Sequence, residues 1–535
     1  MFDFTDASLL VPMMVFIPLL GGLALLLPVG FAGRDSSVRH YALLNTLVTF
    51  AVSLIVLGLF IFGDGAASRF SSSVTWVAAF GLSFGFGIDA VSLWLVMLTT
   101  FLMPMVVLGS FSGITKRVRE FYLWLLVLEA AMIGTFVATD IIFFYICFEF
   151  TLVPLFFLIG IYGSSQRLKA ARVFFFYTFT GSMLTFAGVL YVAWYASQPQ
   201  ELGRWTFDIG ELTRAAQQMP YATQAWVLLA LLAGFAVKVP LFPVHTWLPL
   251  AHTEAPTAGS VVLAGVLLKL GTYGLLRFAL PMCPEAVVAF APYIGVVAVT
   301  GILYTALVCW VQKDIKKLIA YSSVSHLGFC VLGMFALNVQ GVSGSVMYMI
   351  NHGLSTGALF LCVGMIYERF HTREMRQMSG LGRVIPVWSF FMVFFCLASV
   401  GLPGLNGFVG EFLTLLGAFN APQVLGWPYA ATAGLGLVLG AIYILYMVGK
   451  VVFGPVKVPG QESHPVKDLS RREIATLAPL AVACLALGLY PNPVLKSLDE
   501  PIARLIEPAR LVISATNPNT IAGVNLDNTA QRTGN

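Results

Sequence analysis

Apolar runs of twenty or so residues recur along the whole chain, separated by short clusters of charge, glycine and proline. About twenty consecutive apolar residues suffice for a helix to cross the hydrocarbon core of a bilayer. The pattern predicts fourteen spans, near 8–31, 41–62, 88–111, 121–139, 141–162, 172–196, 224–248, 256–280, 286–310, 316–337, 343–367, 384–419, 425–454 and 473–491. The segment 74–87 (VTWVAAFGLSFGFG) alternates loosely and is glycine-rich, which predicts a short hairpin at the membrane surface. The first residues, MFDFTDASLL, are acidic ahead of the first apolar run. A secretory signal carries the opposite charge there, so this run reads as a retained helix. The residues from Pro491 onward read as a polar tail, too short and too polar for a long lateral amphipathic helix.

Composition supports the same class. Hydrophobic residues make up 58% of the 535 and charged residues only 10%. An average soluble domain carries about 25% charge, and a soluble protein of this size could not cover its surface with so little. Disorder, collagen, a coiled coil and a nucleic-acid-binding protein are excluded as the main reading. The seven cysteines, Cys147, Cys283, Cys309, Cys330, Cys362, Cys396 and Cys484, are scattered singly with no CxxC pair. That argues against an iron–sulfur cluster or structural zinc, and no metal ligand set is assigned. No glycine-rich phosphate loop follows a strand pattern, so no bound nucleotide is expected.

Charge placement sets the orientation. Twenty of the thirty basic residues fall in odd-numbered loops and eight in even-numbered loops and the tail. By the positive-inside rule both termini lie outside and the odd loops face the cytoplasm or matrix. The two cations left over, Lys238 and Lys269, lie inside apolar spans, as do Glu129, Glu149 and Glu411. An ionised side chain near the bilayer centre costs at least about 2.5–3.5 kcal/mol, so these groups need partners or a wet cavity. Asp89 and Asp140 fall at helix ends and need no special role.

The charges coincide with helix breaks. Pro240, Pro243 and Pro249 follow Lys238, and the run from Gly401 to Gly410 (GLPGLNGFVG) precedes Glu411. Broken backbone at membrane depth is tolerated only inside protein or along a wet cavity. Paired interruptions in the two halves of a transporter point to the transport site. The interrupted seventh and twelfth spans are five apart, which predicts two inverted five-helix repeats, 121–280 (spans 4–8) and 286–455 (spans 9–13). These follow an N-terminal unit, 1–120, and precede span 14 with the tail, 473–535. A Lys–Glu pair whose separation changes acts as a proton switch, because burial lowers a lysine pKa and a nearby carboxylate raises it. Glu149 and Lys238 are the expected pair, Lys269 the relay across the midplane and Glu411 the step toward the outside. His245, His326 and His352 bridge the gaps. The competing readings are a structural ion pair for Glu149–Lys238, helix capping for Glu411, core hydrogen bonding for the histidines and a structural role for Glu129. His40, His371 and His464 lie in charged loops and receive no assignment.

Three segments carry a family resemblance: FAVKVPLFPVHTWLPLAHTEAPTAGSVVLAGVLLKLGTYGLLRF, VQKDIKKLIAYSSVSHLGF and LPGLNGFVGEFLTLLGAF. They resemble the antiporter-like membrane subunits of the proton-translocating NADH–quinone oxidoreductase, respiratory complex I, over roughly residues 80–455. The resemblance implies an all-α fold of fourteen helices with inverted repeats and discontinuous seventh and twelfth helices. It also implies a proton half-channel in each repeat. The family's ionisable positions fall on Glu149, Lys238, Lys269 and Glu411. Glutamate at 411, where the sister chains L and N usually carry lysine, is similar to the subunit M (chain 4) branch. NADH, FMN, iron–sulfur clusters and quinone are then expected in partner subunits and none in this chain. Chains L and N are expected neighbours. The chain length points to a bacterial inner membrane rather than a mitochondrial one, with both termini periplasmic. A cation/proton antiporter subunit, a membrane-bound hydrogenase-type subunit and a purely structural scaffold are the alternatives.

Overall fold

The computed structural model describes residues 7–27, 35–63, 67–459 and 466–516. His464 and two of the counted cations, Arg34 and Arg532, lie outside these ranges. Among the described residues, twelve helices are long and apolar enough to cross a membrane. Three shorter apolar helices, Leu10–Ala24, Pro386–Val400 and Asn406–Phe419, accompany them. The chain is a polytopic membrane protein.

The helices that frame the site are α1 (Leu10–Ala24), α2 (Asp35–Phe62), α3 (Ala90–Gly109), α4 (Val118–Val137), α5 (Ile141–Phe150), α6 (Leu152–Tyr162) and α7 (Arg167–Ala196). The amphipathic α8 (Ile209–Gln217) follows, then α9 (Tyr221–Lys238), α10 (Trp247–Glu254) and α11 (Thr257–Met282). Next come α12 (Pro284–Trp310), α13 (Ile315–Met334) and α14 (Val339–Phe370), which is buried from Gly341 to Ile366. The chain continues through α15 (Pro386–Ser399), α16 (Asn406–Phe419), α17 (Trp427–Val451) and α18 (Arg471–Leu489). Packing of helices inside lipid depends on close approach rather than on water exclusion. The seam between α7 and α9 shows this: small residues Gly181, Thr185, Gly188 and Gly234 let the two backbones meet.

The hairpin is present as β1 (Ser72–Val77) and β2 (Leu82–Phe86), with Ser72 opposite Phe86. Its edge is continued by Gly87 N donating to Val137 O at 2.8 Å, and Ile141 N donates to Phe207 O at 2.9 Å. This end of the molecule is the hairpin face. Asp89 and Asp140 sit here as helix caps: Asp89 accepts from Ser92 N in a capping box, and Asp140 accepts from Ile142 N and Phe143 N. The opposite, basic face is tied by Arg369, whose guanidinium makes a bidentate pair with Glu473 at 2.7 and 2.9 Å.

Two expectations change. Residues after Tyr490 are not a plain polar tail: α19 (Asn492–Thr516) is a 25-residue amphipathic helix. Its stripe of Val494, Leu498, Ile502, Ile506 and Ala509 is buried, and Trp94 Nε1 donates to Ser497 Oγ at 2.8 Å. Buried apolar residues every three to four positions hold it to the bundle despite Pro501 and Pro508. Lys316, expected among the loop cations, is only 5% exposed. Asp314 caps α13 at its first turn, which turns Lys316 inward and Lys317 outward.

Candidate functional site

The breaks fall where the charges are. Helix α9 ends at Lys238, and α10 begins only at Trp247. Trp247 Nε1 donates to Val237 O at 3.0 Å and holds the two halves together. Helix α5 ends at Phe150, and Thr151 joins it to α6. Lys238 Nζ donates to Thr151 Oγ1 at 3.2 Å and to Phe148 O at 3.4 Å, and lies 4.2 Å from the Phe148 ring centroid. The ammonium therefore sits at the negative end of α5, which suits a cation. Glu149 is beside it, but its carboxylate is not bonded: both oxygens are buried without a hydrogen-bond partner. Among the described residues no ion pair within 4 Å joins Glu149 to Lys238. The expected pair is thus adjacent and open.

Lys269 lies in the α-helical part of α11 between two π-helical turns, Leu263–Leu267 and Leu275–Ala279. Wide turns of this kind free backbone acceptors. Lys269, fully buried, donates to Ala264 O and meets His352 Nδ1 at 2.7 Å. When the lysine is an ammonium it can only donate, so His352 accepts at Nδ1 and its neutral ring carries the proton at Nε2. That nitrogen is buried without a partner.

The His352 ring centroid is 5.7 Å from that of His326. His326 Nδ1 contacts the Tyr348 hydroxyl, which donates to Glu411 Oε1. The His326 Nδ1 to Glu411 Oε1 separation is 3.6 Å, and Ser399 Oγ is 3.3 Å from His326 Nε2. Since Tyr348 gives its proton to the carboxylate, it accepts one from His326 Nδ1–H. Lys269, His352, His326, Tyr348 and Glu411 thus form one line through the protein interior, crossing α11, α14, α13 and α16.

Glu411 does not cap its half-helix. It is the sixth residue of α16, and its carboxylate turns to Tyr348. Gly401, at φ +79°, lies in the break against this carboxylate, where a β-carbon would overlap Oε2. Asn351 and Asn406 lock the break to α14: Asn351 Nδ2 donates to Asn406 O at 2.6 Å, and Asn406 Nδ2 donates to Asn351 O at 3.2 Å.

His245 lies between α9 and α10, ringed by Phe242, Tyr304 and Tyr321 at 5.8, 6.0 and 6.4 Å. Its Nδ1 is buried and unpartnered. Glu129 on α4 is fully buried, and both its carboxylate oxygens lack a hydrogen-bond partner.

Three residues that sequence reading passed over join the site. His252 on α10 is fully buried, stacked on Phe360 at 4.6 Å, with both ring nitrogens unpartnered. It follows His245 in the same apolar, proline-rich run. Lys316 Nζ donates to Ala255 O at 2.6 Å, just beyond the end of α10. It borders a cavity of about 770 Å³ on the basic face, which Glu254, Glu368 and Arg373 also line. Tyr348 carried no signal beyond its nearness in sequence to His352. Among the described residues, no group of three or more His, Cys, Asp or Glu is placed to hold a metal ion.

Comparison with known proteins gives concordant results. The family described as NADH:quinone oxidoreductase/Mrp antiporter, TM matches residues 138–452. The chain is 42% identical over 510 residues to NADH-quinone oxidoreductase subunit M of Rhodobacter capsulatus, covering 93% of this chain and 96% of the relative. It is 40% identical over 497 residues to NADH-ubiquinone oxidoreductase chain 4 of Arabidopsis thaliana, covering 92% and 96%. A chain of respiratory complex I from Thermus thermophilus superposes with a TM-score of 0.82 at 29% identity, covering 93% of this chain and 99% of that one. A chain of the Mrp complex from Dietzia sp. DQ12-45-1b shares the fold, with a TM-score of 0.80 at 20% identity, over 95% and 99%.

Proposed function

Because this chain belongs to the family of antiporter-like membrane subunits of NADH–quinone oxidoreductase, we propose that it moves protons through its buried Glu, Lys, His and Tyr side chains while partner subunits perform the redox chemistry. The observation that carries this reading is the line Lys269–His352–His326–Tyr348–Glu411. Each member except the His–His step is within hydrogen-bond reach of the next, and each holds or exchanges a proton.

The chemistry follows from donor and acceptor roles. A proton leaving Lys269 enters His352 at Nδ1, and the proton already on Nε2 is released on the far side of the ring. That proton is taken up at His326 Nε2, and the His326 Nδ1 proton passes to the Tyr348 oxygen as the tyrosine gives its own proton to Glu411. Neither ring nor phenol has to translate. Lys238 and Glu149, adjacent but unbonded, form the switch in the first half. Closing their separation favours the charged lysine, and opening it releases a proton toward His245, His252 and Lys269. Each proton crossing against 100 mV requires about 2.3 kcal/mol, which quinone reduction elsewhere in the complex has to supply.

The reading takes the chain as fourteen spans. Leu10–Ala24 counts as one, and the half-helices α15 and α16 together as another; both are short for a full crossing, the first alone and the others because they share one. The repeats 121–280 and 286–455 place the breaks at Lys238 and before Glu411 in corresponding positions. Chains L and N are the proposed neighbours, and NADH, FMN, iron–sulfur clusters and quinone belong to other subunits. The proposed location is a bacterial inner membrane with both termini periplasmic.

Lys269→Met tests the reading. In the intact complex, a native gel stained for NADH dehydrogenase activity is expected to show normal assembly. Proton uptake by inverted vesicles driven by NADH is expected to be lost. Normal uptake would overturn the reading.

A further inference from the structure

Four phenylalanines from three helices close into a ring next to Lys238. Phe144 and Phe148 come from α5, Phe235 from α9 and Phe278 from the second π-helical turn of α11. Their centroid separations run 5.5 Å (144–148), 5.8 Å (148–235), 6.1 Å (235–278) and 4.5 Å (278–144). Tyr273 extends the ring at 6.4 Å from Phe144, and Phe136 stacks edge-on to Tyr273 at 5.3 Å. All six side chains are at most 2% exposed. Gly274 makes the closure tight: a β-carbon there would run into the Phe235 ring.

The position of this cluster gives it meaning. On α5, α9 and α11 its residues lie on the hairpin-face side of Lys238 and Lys269, apart from Phe148, which touches Lys238 itself. Beyond the cluster, two cavities of about 760 and 250 Å³ open at the hairpin face, and both are lined by Asp89 and Arg277. Those two residues are paired at 2.6 Å. The buried lysines of the first half are therefore separated by one layer of rings from the two cavities that Asp89 and Arg277 line. The only polar side-chain atom in that layer is the Tyr273 hydroxyl, and it donates to Phe136 O. A backbone carbonyl accepts that bond but has no proton to pass on.

We infer that this aromatic layer is an insulating plug, which closes the first half of the chain toward the hairpin face and leaves the lateral route to Glu411 as the exit. The inference rests on the proton-path reading above and adds the element that gives the path its direction. Apolar, tightly filled space stays dry, and hydrophobic constrictions block conduction by excluding water. A proton crossing here would have to do so without a water chain.

The test is passive proton conductance of the complete complex in liposomes under an imposed pH difference, with no NADH present. Phe144→Asn and Phe278→Asn each open space and give water a polar partner, and are expected to raise this conductance about tenfold or more. Phe144→Leu and Phe278→Leu keep the space apolar and nearly filled, and are expected to stay near wild type. If an asparagine variant does not assemble, the threonine variant at the same position is read in its place. Unchanged conductance in the polar variants would overturn the plug, as would an equal rise in the leucine variants. Failure of the proton-path reading is seen elsewhere, as undiminished NADH-driven pumping in Lys269→Met, so the two failures are distinguishable.

Discussion

Tyr348 donates its hydroxyl proton to the carboxylate of Glu411. The bond places a phenol between a histidine and a glutamate that are themselves 3.6 Å apart. Removing the hydroxyl leaves both neighbours in place and interrupts only the hand-over. Tyr348→Phe is therefore expected to assemble normally and to slow NADH-driven proton pumping about 10- to 100-fold, equivalent to ~1.4–2.7 kcal/mol on the transfer barrier. Wild-type pumping in this variant would assign Tyr348 a packing role.

Gly401 meets two demands at once. Its φ of +79° is a region that side chains other than glycine avoid, and its open α-carbon faces the Glu411 carboxylate. Gly401→Ala is expected to destabilise the break by about 1–2 kcal/mol and to displace the carboxylate. Thermal stability of the purified complex and pumping should fall together. Loss of neither would show that the break adjusts freely.

The pair of Asp89 and Arg277 has a pH signature. Burial alone would raise the Asp89 carboxyl, but the Arg277 guanidinium and the bonds from Ser92 outweigh it and hold the group below the usual carboxylate range. A carboxyl with a depressed folded-state pKa stabilises above its unfolded value, near 4, and loses that contribution as pH falls through the folded value. Asp89→Asn is expected to cost about 1.5–3 kcal/mol near neutral pH. The gap between variant and wild type in thermal melts should close below about pH 4. A gap constant with pH would contradict the charge-based account.

Lys238 is anchored by Thr151 Oγ1 rather than by Glu149. Thr151→Val removes one acceptor of similar shape, worth about 1.5–3 kcal/mol when the donor is charged. The charged lysine then lacks that partner. In vesicles, the pH at which pumping is half-maximal should shift downward, because losing an acceptor disfavours the ammonium. An unchanged pH profile would indicate that Thr151 does not set the position of Lys238.

Much of the site was legible because charge inside an apolar run is conspicuous. Lys238, Lys269, Glu149 and Glu411 stood out for that reason, and the prolines after Lys238 and the glycines before Glu411 marked the breaks that the structure contains. His252 escaped because it lies in the same proline-rich run as His245, where sequence alone does not show which histidine is turned inward. Lys316 escaped because its neighbours Lys313 and Lys317 made the segment read as a solvated loop, although the cap at Asp314 already implied a helix start. Tyr348 could not be singled out, since a tyrosine's hydrogen-bond partners depend on packing between α13, α14 and α16. Helix α19 was hidden by Pro501, Pro508 and its many charges, while its stripe from Val494 to Ala509 is visible once helical spacing is applied past the prolines. The aromatic ring joins residues up to 134 positions apart in the sequence, and only the fold brings them together.

The most direct test of the central claim is the proton-to-electron ratio of the purified complex carrying Glu411→Gln, reconstituted in liposomes and supplied with NADH and a quinone. Glutamine keeps the size and one acceptor of the carboxylate but cannot take the proton that Tyr348 hands over. The account predicts an assembled complex whose partner subunits still oxidise NADH with a soluble electron acceptor, and whose coupled proton transport falls well below wild type. A wild-type ratio at wild-type turnover would contradict it, because protons would then be crossing without the line that ends at Glu411.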